Sequence, residues 1–155
     1  MSGGKLSLPI RRARPEEDAA LEPFPAAESA PPESRTTLRP GSFERSFAYD
    51  VATDTMTYTS ISDSGRQRID ANGVELEEIA RKVYRIGKDD PLSAENVIHW
   101  TTQRGRGAWQ VRVESRTRMR ASRKHFLIDA QLDAYEGERR VFSRNWYTEV
   151  PRDLV

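Results

Sequence analysis

The sequence predicts an all-β domain, and three observations support that class. From Phe43 onward, short segments rich in Val, Ile, Thr, Phe, Tyr and Trp alternate with Gly, Asp, Asn and Ser about every ten residues. The stretch from Trp109 to Tyr135 alternates between apolar and polar residues, as half-buried strands do. Two dipeptides, Asn72-Gly73 and Glu136-Gly137, carry the glycine that tight turns favour. This rhythm is typical of an antiparallel sandwich or barrel.

The first forty residues belong to a different class of segment. Seven of the nine prolines fall there, and no apolar periodicity runs between them. Such a segment cannot bury enough apolar surface to offset the entropy lost on ordering. We therefore expect residues 1–40 to form a disordered or extended proline-rich linker. Residues 41–155, roughly 115 in number, should form one β-sandwich domain.

The positions of the expected strands follow from the turn residues that separate the apolar segments. Segment 74–86 is ambiguous, because Leu76, Ile79 and Val83 have helical spacing whereas its second half alternates as a strand. The all-β surroundings favour the strand. Asp90-Pro91 predicts a turn with room for one short helical turn after it. The expected strands are 43–50, 55–61, 67–69, 80–87, 97–102, 109–120, 125–135 and 140–147.

Residues 109–135 predict a long antiparallel hairpin with one buried face. Its inner face would carry the apolar residues and its outer face the arginines and carboxylates. A loop at 121–124 fixes the expected pairs as Arg112 with Asp133, Arg116 with Asp129, Val113 with Leu132, and Met119 with Phe126.

The strand after this hairpin has two possible orientations. A two-residue turn at Gly137-Glu138 with a regular ladder would leave Phe142 and Trp146 outward. A bulge at the turn would reverse that choice. If both aromatic side chains are exposed together with Leu127, they would mark an interaction patch.

Charge and composition argue against several classes of partner and site. The formal net charge is +1, with 25 basic and 24 acidic residues, so no global field gathers nucleic acid or anionic lipid. The lack of cysteine excludes disulfides and thiol chemistry. The sequence has neither a signal-peptide pattern nor an apolar run long enough to span a bilayer. We expect a soluble, cytoplasmic protein without nucleic-acid or membrane partners.

Candidate catalytic residues are few. No G-x-S-x-G nucleophile elbow occurs, and the nearest segment, Ser-Asp-Ser-Gly at 62–65, fits a polar turn better. The two histidines, His99 and His125, lie in neither a metal-binding nor a catalytic motif. Adjacent carboxylates such as Glu77-Glu78 point apart on a strand. We therefore assign no catalytic, cofactor-binding or metal-binding residue.

Two sets of residues permit a binding function. The arginines between residues 104 and 123 could form a nucleic-acid stripe, but Asp129 and Asp133 on the facing strand make internal charge pairing the simpler explanation. Aromatic side chains could line a carbohydrate-binding face, although core or interface packing is their commoner role. That aromatic set is Trp100, Trp109, Trp146, Tyr135 and Phe142.

Several short segments are more specific when they are taken together. In order they resemble the C-terminal part of the CocE/NonD hydrolases, which are relatives of cocaine esterase and the X-prolyl dipeptidyl-peptidases. The resemblance covers nearly the whole chain. The segments are Leu6-Ser-Leu-Pro-Ile-Arg, Asp89-Asp-Pro-Leu-Ser-Ala, Trp109-Gln-Val-Arg-Val-Glu, the run from Phe126 to Gly137, Trp146, and Pro151-Arg-Asp-Leu-Val.

The resemblance implies a jelly-roll-like antiparallel β-sandwich that packs against an α/β-hydrolase domain and helps to wall its active site. It also implies that the Ser, Asp and His of the catalytic triad belong to that preceding domain, so no triad residue is carried over. The expected function is a non-catalytic accessory domain, truncated or split from its serine hydrolase and inactive alone. Its expected partners are the catalytic domain or a second copy that meets an exposed apolar patch. The alternative is a free-standing binding module, for example for carbohydrate, and a hydrolase of unrecognised mechanism ranks last.

Overall fold

The computed structural model describes residues 6–12, 14–20, 22 and 24–153. It divides the chain into two units, Met1–Pro32 and Glu33–Val155. The predicted all-β class is confirmed, because strands make up most of the second unit. Leu154 and Val155, which end the last of the segments that carry the family resemblance, lie outside the described residues.

The first unit contains one short helix, α1 (Pro15–Ala19). Pro15 occupies the first turn, where its missing N–H is not needed. The acidic side chains that follow it lie at the positive end of the helix dipole. Arg14 Nη1 lies 2.7 Å from Glu17 Oε1. The expectation of a segment without regular structure therefore missed this single turn.

The second unit contains one eight-stranded antiparallel sheet. From β2 to β8 each strand pairs with the next along the chain, which is the connectivity of a meander. β1 and β2 follow one another along the same edge of β3, and β1 lies within the segment that the sequence assigns to the linker. No jelly-roll crossover joins the strands described. The strands are β1 (Arg35–Arg39), β2 (Ser42–Asp50), β3 (Thr55–Ile69), β4 (Glu75–Gly87), β5 (Asp90–Arg106), β6 (Trp109–Ala121), β7 (His125–Glu136) and β8 (Arg139–Pro151).

The link between β1 and β2 crosses a bulge in β3. Gly65 has a φ of 71°, in the left-handed region that favours glycine. A Cβ at this position would lie 2.6 Å from the Gly41 nitrogen. The Ser64 hydroxyl accepts a hydrogen bond from the Glu78 backbone N–H at 2.9 Å. Segment 62–65, expected as a turn between two strands, is therefore a bulge within one strand, because the ladder resumes beyond it.

Two segments with mixed sequence signals are strands. The whole of Glu75–Gly87 forms β4, which confirms the strand interpretation and extends it. The short helical turn after Asp90 is absent, so that prediction is wrong. Asp90 begins β5, and its carboxylate accepts a hydrogen bond from the Leu92 N–H at 3.0 Å. The Ser93 hydroxyl accepts the Gly87 N–H at 2.7 Å, which joins this irregular start of β5 to the end of β4.

The β6–β7 hairpin closes on a shorter loop than the sequence suggests. The Ser122 N–H donates to the His125 carbonyl at 2.8 Å, and the Ser122 hydroxyl accepts the His125 N–H at 2.9 Å. The register is therefore shifted by two residues from the prediction, with Val113 opposite Ala134 and Met119 opposite Ile128. Because the shift is even, every side chain keeps its predicted face.

The β7–β8 hairpin adopts the bulged alternative. Gly137 has a φ of 56° in the predicted two-residue turn, and the ladder then shifts between Ala134 and Tyr135. Phe142 therefore lies opposite Ala134, and Trp146 lies opposite Ala130. Both aromatic side chains share the face that carries the apolar residues of β6 and β7.

Candidate functional site

The ladder registers sort the side chains of β2–β8 onto two faces of different chemistry. Residues directly opposite each other on neighbouring strands share a face. The residues that share a face with Trp100 form what we call the apolar face, and the others form the charged face. Large members of the apolar face are Phe43, Phe47, Tyr49, Met56, Tyr58, Tyr84, Ile86, Trp100, Trp109, Val113, Met119, Leu132, Phe142, Trp146 and Val150.

The apolar face is largely uncovered. In the part of the chain described, only two apolar side chains are buried, Ala80 on this face and Val83 on the charged face. Trp109 remains 48% exposed and Met119 42% exposed, so the face of the hairpin that was predicted to be buried is only partly buried. The cause is architectural, because a single open meander supplies no second layer that could pack on its own apolar side.

The exposed apolar area of this face is larger than the largest apolar patch on an ordinary monomer. Thirteen large side chains on this face are each between 36% and 75% exposed. Since aromatic side chains each offer about 150–250 Å², the exposed apolar area of this face is about 1,000 Å². The largest apolar patch on a typical soluble monomer is about 300–600 Å². An apolar patch of this size is unusual on a soluble monomer.

The apolar face contains a concave region at one end of the sheet. A cavity of about 370 Å³ is lined mainly by apolar and aromatic side chains from β3 to β7. The Phe47 and Tyr58 rings lie 4.7 Å apart, and the Tyr58 and Tyr84 rings 5.8 Å apart. These contacts fix aromatic groups beside the cavity. Its lining includes Met56, Tyr58, Tyr84, Ile86, Met119 and Phe126.

The charged face, in contrast, pairs many of its charges internally. Arg39 donates to Asp63 at 2.7 and 2.8 Å and to Glu77 at 2.6 Å. The hydrogen bonds from Arg39 are the main cause that lowers the pKa of Asp63 below its ordinary value. Arg118 forms an ion pair with Glu95 on the neighbouring strand. This face is suited to contact with water.

The predicted internal charge pairing of the β6–β7 hairpin is present, but the two predicted pairs are wrong. Asp129 pairs with Arg120 at 3.3 Å, and Asp133 pairs with Arg140 at 3.5 Å. Arg112 instead lies opposite Tyr135, with its guanidinium carbon 4.2 Å from the ring centre. Tyr135 is therefore separated from the other four members of the predicted aromatic set, which lie on the apolar face.

The two histidines are far apart in the topology. His99 lies on the charged face of β5, between Arg81 on β4 and Arg116 on β6. Burial first, and then the charges of Arg116 and Arg81, lower the pKa of His99. His125 begins β7 at the hairpin loop. Neither imidazole hydrogen-bonds to a serine or a carboxylate within the described ranges, and no group of three or more potential metal ligands occurs there.

The expected patch of Phe142, Trp146 and Leu127 is not a single surface. Phe142 is 47% exposed and Trp146 39% exposed, whereas Leu127 lies on the charged face opposite Arg120. The contribution of β2 to the apolar face was not predicted from the sequence. Its signal was the alternation of Phe43, Phe47 and Tyr49 with polar residues, which places all three on one side of a strand.

Comparisons with known proteins return no match: no family model, curated protein or solved structure is similar to this chain. Among the described residues, no helix has both the length and the apolar character needed to cross a bilayer.

Proposed function

We propose that this chain is a non-catalytic accessory domain of a CocE/NonD-type serine hydrolase, and that its apolar face packs against the α/β-hydrolase catalytic domain. The observation that carries the proposal is the uncovered apolar face, which exposes about 1,000 Å² of apolar surface. A standard interface buries about 800 Å² on each partner. The family resemblance supplies the identity of the partner, and the area supplies the reason for one.

The environments of the histidines support the non-catalytic part of the proposal. Acyl transfer by a triad needs a histidine that contacts both a nucleophile and an orienting carboxylate. His99 instead lies between two arginines, which disfavour the imidazolium that a general base becomes. The isolated chain should therefore hydrolyse neither aryl esters nor an X-prolyl anilide. Turnover that scales with protein and disappears in a His99→Ala, His125→Ala double variant would contradict this.

The partner is tested by adding a separately expressed α/β-hydrolase domain of this family from the same organism. We expect a stoichiometric complex by sedimentation and a gain in hydrolytic activity. Phe47→Asp should abolish the complex, because Phe47 is 75% exposed on the apolar face. Ser46→Asp is the matched control, since Ser46 is the exposed neighbour on the charged face. Equal binding by both variants would contradict docking through the apolar face.

A carbohydrate-binding module is the second candidate, because three tryptophans are partly exposed on the apolar face. Trp100, Trp109 and Trp146 are between 39% and 48% exposed, and such rings can stack on sugars. Affinity electrophoresis in gels that contain soluble polysaccharides tests this function. Retardation of the chain that is lost in Trp100→Ala would favour the module over the accessory domain.

A further inference from the structure

Apart from Arg139, which pairs with Glu136, five basic side chains interrupt the apolar face. Their positions follow from the registers: Arg45 faces Ser60, which faces Lys82, and the other three lie opposite Val111, Trp109 and Leu132. Two carboxylates lie on this face. Glu136 is paired with Arg139 at 3.5 Å, so among the described residues Glu78 is the one carboxylate here that could balance the unpaired basic side chains. The face therefore carries an excess of positive charge. The five basic residues are Arg45, Lys82, Arg104, Arg106 and Arg144.

None of these five residues forms an ion pair within the part of the chain described. On the opposite side of the sheet Arg39, Arg66, Arg118 and Arg120 do so, whereas Arg68, Arg81, Arg85 and Arg116 do not pair with any described residue. Arg45 lies 4.5 Å from the centre of the Phe43 ring, and Arg144 lies 5.1 Å from that of Trp146. Lys82 is half-buried among the strands. Within the described residues the two faces therefore differ in their balance of charge: the apolar face sets Glu78 against five unpaired basic side chains, whereas the charged face carries carboxylates on every strand from β2 to β8.

This difference constrains what can lie on the apolar face. A surface that covers it removes water from the basic side chains, and a buried charge without a counter-charge is strongly unfavourable. A purely apolar surface would therefore be penalised. A second copy would bring the same excess of positive charge, and like charges across an interface oppose association.

We propose that the natural partner of the apolar face is a protein surface that is itself apolar and carries carboxylates opposite Lys82, Arg45 and Arg144. The inference rests on the proposed function, because it specifies the surface that the catalytic domain presents. It also assigns these three basic residues the task of selecting that surface against a second copy.

A charge-reversed copy of the chain serves as the probe. The variant Arg45→Glu, Lys82→Glu, Arg144→Glu presents an apolar face with carboxylates. Mixed with wild-type chain in sedimentation velocity, it should form a one-to-one complex at least tenfold tighter than the self-association of either. The complex should weaken as salt increases, because screening reduces the attraction. Circular dichroism checks the fold, and if the triple variant fails to fold, Arg45→Glu, Arg144→Glu at two exposed positions replaces it.

The matched control is Arg81→Glu, Arg85→Glu, Arg116→Glu, which makes the same change of charge on the opposite face. This control should form no such complex, and if it does, a general charge effect explains the result and the proposal is overturned. A tight wild-type homodimer that is lost in Phe47→Asp would assign the face to a second copy instead. Wild-type binding to vesicles of phosphatidylserine and phosphatidylcholine would assign it to an anionic membrane. No catalytic domain takes part, so failure here is distinct from failure of the hydrolase assays.

Discussion

Replacement of Gly65 by alanine should destabilise the sheet through two separate effects. The backbone at Gly65 has a φ of 71°, and a side chain in the left-handed region costs about 1–2 kcal/mol. The new Cβ would also lie 2.6 Å from the Gly41 nitrogen and 2.7 Å from the Pro40 carbonyl carbon. Backbone atoms at those distances must move, which displaces the β1–β2 link and loosens Arg39 from Asp63. We expect a total loss of about 2–4 kcal/mol.

Gly107→Ala separates the two effects. Gly107 has a φ of 56°, but nothing lies within 4 Å of the position of its Cβ. Only the backbone cost of about 1–2 kcal/mol should apply to it. Urea unfolding followed by far-ultraviolet circular dichroism gives both values, because a change in midpoint at constant slope reports stability. Equal midpoint shifts for the two variants would refute the claim that the bulge brings the β1–β2 link against Gly65.

Three further predictions concern charge and exposure. Hydrogen bonds from Arg39 lower the pKa of Asp63 in the folded state. The stability that they contribute is therefore present above the unfolded-state pKa of about 3.9 and is lost as the pH falls through the lower folded-state pKa. Arg39→Gln should flatten this acid dependence of stability in urea titrations, and an unchanged pH profile would contradict the prediction. The pKa of His99 should lie below about 6.5 by NMR and should rise in Arg116→Gln; a normal wild-type value would contradict this. Emission from the three tryptophans, 39–48% exposed, should be quenched by acrylamide and should shift to the blue if the proposed partner binds. Strong protection from acrylamide in the isolated chain would contradict an uncovered face.

The sequence predicted the strands best where alternation was long. The predicted strands 109–120 and 125–135 match β6 and β7 almost residue for residue. Strict alternation of apolar and polar residues over such a length fits a strand and does not fit a helix. Irregular strands were harder to bound. β3 was expected as two strands, since Ser62 to Gly65 has the composition of a turn. The strand is seen to continue through a bulge only because β3 pairs with β4 again from Arg66 onward.

The register between strands was harder to predict than the face on which each side chain lies. The two-residue period assigns each side chain to a face, but a shift by two residues preserves every assignment. The β6–β7 register instead depends on the closing pair of Ser122 and His125. A serine hydroxyl that accepts a backbone N–H across a loop leaves no distinct trace in the alternation pattern. The predicted ion pairs failed for this reason, although internal pairing on that face was predicted correctly.

The apolar face shows why a pattern that predicts a core can predict an interface equally well. Alternation at Val113, Met119 and Trp109 says that one side of β6 avoids water, but it does not say which molecule supplies the other layer. In most domains a second sheet of the same chain does so. Here every strand from β2 to β8 joins one meander, so the apolar side lacks a layer from its own sheet. The basic side chains on that side carry the additional information, because a core formed within this chain would have to neutralise Lys82 internally. The excess of positive charge on the apolar face, where five basic side chains that are unpaired among the described residues accompany Glu78, is therefore the feature behind the proposal of a separate, acidic partner.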